Sequence, residues 1–288
     1  MFAAALKDAQ TRVQIALDEA MAGLDGTAAD AMRYTCQGGK RLRAFLVMEG
    51  ARLHGVPATQ ADRVAAAIEA LHAFSLVHDD LPCMDDDDLR RGNPTVHVKW
   101  DEAIAVLAGD ALQTLAFEIL ADARTSSDAG VRVELMATLA KAAGAEGMVL
   151  GQVLDIEAES AKAPLTLEQI TRLQAGKTGA LIEWSACAGA ILGKADPAPL
   201  RQYAGAVGLA FQIADDILDI EGDAAKAGKR LQKDTAAGKA TFVSLLGMDE
   251  AKAKAKSLVA EAEAALSPYG DAAENLKAAA RFVISRDT

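Results

Sequence analysis

Two groups of aspartates carry a spacing on which metal chemistry can be built. The first lies in FSLVHDDLPCMDDDDLRRG, residues 74–92, and the second in FQIADDILDI, residues 211–220. Asp215 and Asp219 are four apart, so a helix would set them on one face about one turn (~5.4 Å) apart, with Asp216 beside them. Carboxylates ~4 Å apart repel by about 4 kcal/mol at an effective dielectric of ~20, so a cation must offset them. Carboxylate oxygens suit a hard ion, and Mg2+ held through one or two carboxylates plus phosphates is the common arrangement. A solvated acidic helix face is the competing reading. The apolar residues around the cluster (Phe211, Ile213, Ile217, Leu218, Ile220) weigh against it. In the first cluster Asp85 follows Asp79 by six residues, which on a straight helix turns it about 120° away. Pro82 cannot donate a backbone hydrogen bond, so the helix should kink or end there and let Asp85 return toward Asp79. Asp86, Asp87 and Asp88 read equally well as a solvated loop or as partners for nearby arginines. A calcium loop is excluded, since the twelfth position counted from Asp85 is Val96 rather than Glu.

Cations stand near both clusters. Arg90 and Arg91 follow the first at once, and the planar guanidinium fork suits phosphate oxygens. Upstream, QGGKRLR places Gly38 and Gly39 before a helix expected to begin near Lys40, and a helix start presents free N–H groups to an anion. Lys40 and Arg43 share a face there; a solvated basic helix start is the plainer reading of that segment alone. No Walker loop is present. His72, seven residues before Asp79, falls on the same face two turns earlier, as a packed core residue or a phosphate contact. Lys177 and Thr178 sit in QAGKTGALIEW, an apolar pattern interrupted by Gly176 and Gly179. An unpaired lysine is costly to bury, so Lys177 should face a cavity or an anion. Lys229, Lys233 and Lys239 populate the Gly- and Lys-rich stretch 222–240, read as a functional loop.

The elements that must position these groups read as helix after helix. Apolar residues recur at three- and four-residue intervals over 4–22, 40–54, 60–80, 99–123, 130–158, 166–193, 198–221 and 250–266. Thr166 with Gln169, just after Pro164, predicts a capped helix start. No alternating Val/Ile/Thr run predicts a strand. Nothing divides the chain, so the expectation is one all-α domain over 1–288.

Hydrophobic residues make up 51% of the 288, enough for a sizeable core, while aromatics are only 4% and alanine is abundant, which favours close-packed helices. A net charge of −11 without a basic stripe argues against nucleic acid as partner. Three scattered cysteines form neither a disulfide framework nor a metal pattern, which fits a reducing cytoplasm. No apolar run is expected to span a membrane, and the start MFAAALKDAQ does not read as a signal peptide.

DDLPCMDDDDLRRG resembles the first aspartate-rich motif of the trans-isoprenyl diphosphate synthases, and FQIADDILD their second. GGKRLR, His72, GDALQTLAF and AGKTGALI stand in the family's order, so the resemblance runs from about residue 30 to 245. Within the family the form is most like that of bacterial farnesyl diphosphate synthases. The resemblance implies the isoprenoid synthase fold, a helical bundle with a central cavity. It implies Mg2+, three ions when substrate is bound, with Mn2+ as substitute. Asp79 and Asp85, supported by Asp80, and Asp215, with Asp216 and Asp219, would be the ligands. Arg90, Lys177, Lys229 and Lys239 would hold the allylic diphosphate. Lys40, Arg43, His72 and Arg91 would hold isopentenyl diphosphate, while Gln212, Lys177 and Thr178 would face the forming carbocation. A homodimer is the family expectation.

The chemistry implied is ionisation, condensation and proton loss, yielding (E,E)-farnesyl diphosphate, with geranylgeranyl diphosphate as the alternative product. In the family an aromatic at the position of Phe74 walls the growing chain, with Ser75 beside it. An ideal helix puts Phe74 about 140° from Asp79, so a second helix must complete that wall. A terpene cyclase would not need Lys40, Arg43 and His72, and a silent helical subunit would not need both aspartate clusters intact.

Overall fold

Alanine-rich amphipathic segments, punctuated by Gly and Pro, form helices almost throughout the computed structural model, which describes residues 2–161, 163–221 and 240–285. Its contacts divide the chain into two compact units. Unit 1 comprises Met1–Met136 with Ile191–Ala195, and unit 2 comprises Ala137–Ala190 with Asp196–Thr288.

Unit 1 is built around α4 (Ala58–Asp79), which packs on α1 (Phe2–Met21), α3 (Leu42–Leu53) and α6 (Glu102–Ala121). Val64, Ile68, Leu71 and Val77 of α4 are buried, as are Phe45 and Leu46 of α3 and Leu112 and Ile119 of α6. Each such side chain contributes about 1.5–3 kcal/mol on leaving water. Around this core lie α2 (Thr27–Thr35), a hairpin of β1 (Leu89–Arg90) and β2 (Asn93–Pro94), α5 (Val96–Lys99), and the start of α7 (Ala129–Ala143). Tyr34 of α2 ties the hairpin down: its hydroxyl donates to the Pro94 carbonyl at 2.7 Å, and its ring meets Trp100 edge-on.

Unit 2 is organised by α11 (Ala198–Glu221). This helix packs on a π-turn (Ala175–Gly179), α12 (Phe242–Leu246), α13 (Met248–Ala265) and α14 (Glu274–Ser285). The fully buried Tyr203 of α11 donates its hydroxyl to the Leu276 carbonyl at 2.8 Å. α8 (Met148–Glu159), α9 (Leu167–Gln174) and α10 (Ala180–Leu192) complete it, with α9 opened by the Thr166–Gln169 capping box that the sequence predicts.

Five expectations are corrected. The segment 130–158 is two helices, because the chain breaks at Gly144–Gly147. The segment 166–193 is α9 and α10 with the π-turn between them, and 99–123 starts late, after Trp100 leaves helical geometry. The β1–β2 hairpin is a real strand pair, too short to show an alternating pattern. α6 does have the length and composition of a membrane span. One face of it is packed against α4 and α2, and a core helix has that same make-up.

Candidate active site

In unit 1 the break at Pro82 does what the spacing of the first cluster requires. α4 ends at Asp79, and the chain turns back so that the Asp85 amide donates to the Asp79 carbonyl at 2.8 Å. Asp86 takes a left-handed conformation (φ 50°) to make the turn. Asp79 is half-buried and Asp85 exposed, so both keep access to solvent ions. Asp80 differs. It is buried, and it accepts from Arg90 through both oxygens, from Nε at 2.9 and 3.2 Å and from Nη2. Burial raises the Asp80 pKa, and the Arg90 hydrogen bonds pull it back down. Asp87 lies 3.9 Å from Arg90, in the role of arginine partner left open by the sequence.

The cations of unit 1 converge. Arg91, also left-handed (φ 55°), turns its guanidinium over Gly39, where a Cβ would stand 2.8 Å from it. Only glycine at position 39, itself at φ 93°, leaves that space. Arg91 Nη1 donates to the Gln37 carbonyl at 3.4 Å. Arg43 keeps a buried Nε with no hydrogen-bond partner among the described residues, an orphan donor that calls for an acceptor. Loss of water outweighs the attraction of Glu69 and, with Arg91 near, lowers the Arg43 pKa. His72 feels the same field. Loss of water, then Arg43, Arg91, Arg41 and Arg90, hold its pKa well below the ordinary histidine value, so the imidazole is neutral near pH 7. Lys40 is exposed at the loop beside them.

This loop rests on two residues that the sequence reading passed over. Arg41 caps α3 in a left-handed conformation (φ 54°), and its buried guanidinium donates to Glu69 Oε2 at 3.0 Å, to Gln14 Oε1 at 3.0 Å and to the Cys36 carbonyl. The other oxygen of Glu69 accepts from the Ala44 amide at 3.0 Å. The available signal was a glutamate inside the apolar run AAAIEAL, which must be paired if buried.

In unit 2 Asp215, Asp216 and Asp219 are half-buried on α11, with the buried Gln212 one turn earlier. Asp216 Oδ2 accepts from the Phe242 amide at 2.6 Å, anchoring the start of α12. Gly208 continues the same stripe and lies against Gly179 of the π-turn. That turn carries Lys177 and Thr178. Its extra residue marks a bulge of the kind frequent at functional positions. α8 presses against it so closely that a Cβ on Gly151 would stand 2.0 Å from the Lys177 amide nitrogen. Lys177 is not unpaired: its Nζ meets Asp155 Oδ2 at 2.7 Å. Asp155 is a further residue that spacing did not point to. Lys229, Lys233 and Lys239 lie outside the described residues.

In α4, Phe74 is buried and meets the His78 ring edge-on at 5.0 Å, while His78 Nε2 lies 3.1 Å from the Val106 carbonyl of α6. His78, one turn after Phe74, thus meets α6 in unit 1. Ser75 turns its hydroxyl onto the His72 carbonyl at 2.9 Å. Among the described residues no three His, Cys, Asp or Glu side chains form a metal cage. The half-buried Asp79 and exposed Asp85 carboxylates, with Arg90 in the field of Asp79, fit a metal that arrives with a multiply charged phosphate ligand.

The polyprenyl synthetase family model matches residues 26–277. The chain is 47% identical over 259 residues to a farnesyl diphosphate synthase of Escherichia coli, covering 87% of this chain and 86% of that one. It is 42% identical over 263 residues to a chloroplastic geranylgeranyl pyrophosphate synthase of Catharanthus roseus, covering 90% and 73%. The crystal structure of an FPP/GFPP synthase from Zymomonas mobilis superposes with a TM-score of 0.89 at 43% identity, covering 99% of this chain and all of that one.

Proposed function

The chain belongs to the polyprenyl synthetase family, and from that premise we propose that it is a prenyltransferase joining isopentenyl diphosphate to dimethylallyl and geranyl diphosphates, with (E,E)-farnesyl diphosphate as product. The observation that carries this reading is the unit 1 set of cations that follows Asp79 and Asp85, with the buried Arg43 Nε lacking a partner among the described residues. Such a set suits a diphosphate.

Mg2+ is the metal proposed. When bound with the diphosphate it neutralises the leaving group's charge. In unit 1, Asp79 and Asp85 would hold it, and Arg90 would bind the allylic diphosphate. Lys40, Arg43, Arg91 and neutral His72 would bind isopentenyl diphosphate, His72 as a hydrogen-bonding group rather than a charge. In unit 2, Asp215 and Asp219 would ligate metal, Asp216 more through water than directly since Phe242 takes one oxygen. Lys177 would bind diphosphate, exchanging Asp155 for it, while Gln212 and Thr178 present dipoles to positive charge. As the allylic C–O bond breaks, the electron pair leaves with the diphosphate. The isopentenyl double bond then attacks the cation, and the proton released passes to the departed diphosphate. No side-chain base is needed.

The test is a product assay with Mg2+, dimethylallyl diphosphate and isopentenyl diphosphate. A C15 main product is expected, and Phe74→Ala should lengthen it. A C20 product from the wild type would move the assignment to the geranylgeranyl class, and no product would end it. A cytoplasmic homodimer completes the proposal, supported by three free cysteines and by Val106 and Leu107 exposed on α6. Light scattering that gave one chain's mass would remove the dimer.

A further inference from the structure

Asp80 is the one buried acid among the aspartates of 79–88. It follows α4 directly and is only 4% exposed, whereas Asp79 is half-buried and Asp85 exposed. Both of its oxygens accept from Arg90, Oδ1 from Nε at 2.9 Å and from Nη2, Oδ2 from Nε at 3.2 Å. That contact consumes the Nε/Nη2 edge of the guanidinium and leaves the Nη1 edge free of it. The next residue, Arg91, is left-handed and sends its own guanidinium the other way, over Gly39. The two adjacent arginines therefore diverge, and each is fixed by a different partner. Mg2+ demands near-octahedral geometry and keeps several waters. A carboxylate this enclosed, with both oxygens engaged by one arginine, offers no hydrated face to such an ion.

We infer that Asp80 is a positioning residue rather than a metal ligand: it grips Arg90 by one edge so that the Nη1 edge is presented to the allylic diphosphate. The inference rests on the proposed function, which assigns that diphosphate to Arg90. A buried carboxylate next to an anion site would repel the anion if charge were its whole effect. Its use here is geometric. An arginine on a hairpin two residues per strand long has many rotamers, and holding one of them lowers the ordering cost of binding.

The experiment measures binding of dimethylallyl thiolodiphosphate, a non-reacting allylic analogue, to the full chain by calorimetry. It compares wild type, Asp80→Asn, Arg90→Gln and the double variant, with Mg2+ and with EDTA. Each single variant should weaken binding about tenfold or more, the worth of a hydrogen bond to a charged group. The double variant should be no weaker than Arg90→Gln alone, since Asp80 acts through Arg90. The Mg2+ concentration at half-saturation should not move in Asp80→Asn. In EDTA that variant should still bind more weakly, although removing a negative charge would by itself tighten an anion. In turnover, KM for dimethylallyl diphosphate should rise while KM for isopentenyl diphosphate holds.

Additive losses, a raised Mg2+ requirement like that of Asp79→Ala, or tighter binding in EDTA would each overturn the inference while leaving Arg90 on the diphosphate. An Arg90→Gln variant that binds the analogue normally would overturn the reading of Arg90 itself, and the inference with it. Should Asp80→Asn not fold, Arg90→Lys decides. A lysine keeps the charge but cannot use one edge for Asp80 and another for phosphate, so it should lose about as much as Arg90→Gln. Retained binding in Arg90→Lys would show that charge alone suffices, against the inference.

Discussion

Asp215 and Asp219 stand on a helix that runs unbroken through them, whereas Asp79 and Asp85 become neighbours only because α4 stops and the chain folds back. Unit 1 carries most of the cost of irregular backbone. Of the described non-glycine residues with positive φ, Arg41, Asp86 and Arg91 belong to its candidate site, and only Lys194 does not. Each such residue costs about 1–3 kcal/mol that the surroundings must offset. The described part of unit 2 leaves positive φ to glycines, at Gly247 and Gly270, and sets Lys177 on a π-turn. The difference teaches where order comes from. In unit 2 helix period arranges the acids. In unit 1 the buried Arg41–Glu69 pair holds a left-handed backbone that the local sequence would not adopt alone.

The sharpest way to break this comparison is to remove one acid from each unit's ion pair. Arg41 and Glu69 have side chains 4% and 3% exposed. Glu69→Ala should therefore cost about 3–5 kcal/mol of stability in urea unfolding, because an unpaired guanidinium is left buried. Lys177 and Asp155 are 26% and 17% exposed, and Asp155→Ala should cost only about 1 kcal/mol or less. Equal losses would mean that the two units are held alike.

Turnover gives the next contrast. Asp79→Ala and Asp215→Ala should each lower kcat about 10²–10³-fold, the scale set by removing one preorganised electrostatic contact. Neither should lower the melting temperature, since each relieves repulsion among carboxylates. If neither variant slowed condensation, the enzyme reading would fail. If only one did, the clusters would not be equivalent.

Two glycines sharpen it further. Gly151→Ala drives a Cβ into the Lys177 backbone, which cannot step aside, so about 1–3 kcal/mol should be lost together with kcat. Gly39→Ala meets the far end of a flexible arginine but also needs a left-handed alanine, costing about 1–2 kcal/mol. Its mark should be a raised KM for isopentenyl diphosphate with kcat kept. The reverse pattern would exchange the roles of side chain and backbone in the two units.

Much of this was legible in the sequence because period and breakers are local. The 198–221 stretch reads as a helix and is one, with Gly208, Gln212, Asp215 and Asp219 on one stripe, and Pro82 announces the fold-back. What stayed hidden depends on packing. A glycine inside a helical pattern costs only about 1 kcal/mol, so the periodicity ran straight through Gly144–Gly147, where the chain in fact breaks. The π-turn adds one residue without changing composition. Lys177 finds Asp155 because α8 crosses the turn at Gly151, a contact that spacing cannot encode. Asp80 reads as one more acid of a cluster until the hairpin brings Arg90 onto it.

The smallest effect expected is a pH dependence confined to unit 1. His72 is held neutral by loss of water and by Arg43, Arg91, Arg41 and Arg90. In the unfolded chain it takes up a proton below about pH 6.5. The folded state refuses that proton, so its contribution to stability is complete above that pH and is lost as pH falls from there toward the depressed folded value. The slope is at most about 1.4 kcal/mol per pH unit. His72→Gln should flatten unfolding free energy against pH between about 6.5 and 5 by that one-proton slope. Inorganic diphosphate should flatten it in the wild type too, because an anion among those arginines lets His72 protonate in the folded state. An unchanged slope in His72→Gln would place the imidazole outside the arginine field. A slope that diphosphate leaves untouched would place the anion elsewhere than among Arg43, Arg91 and His72.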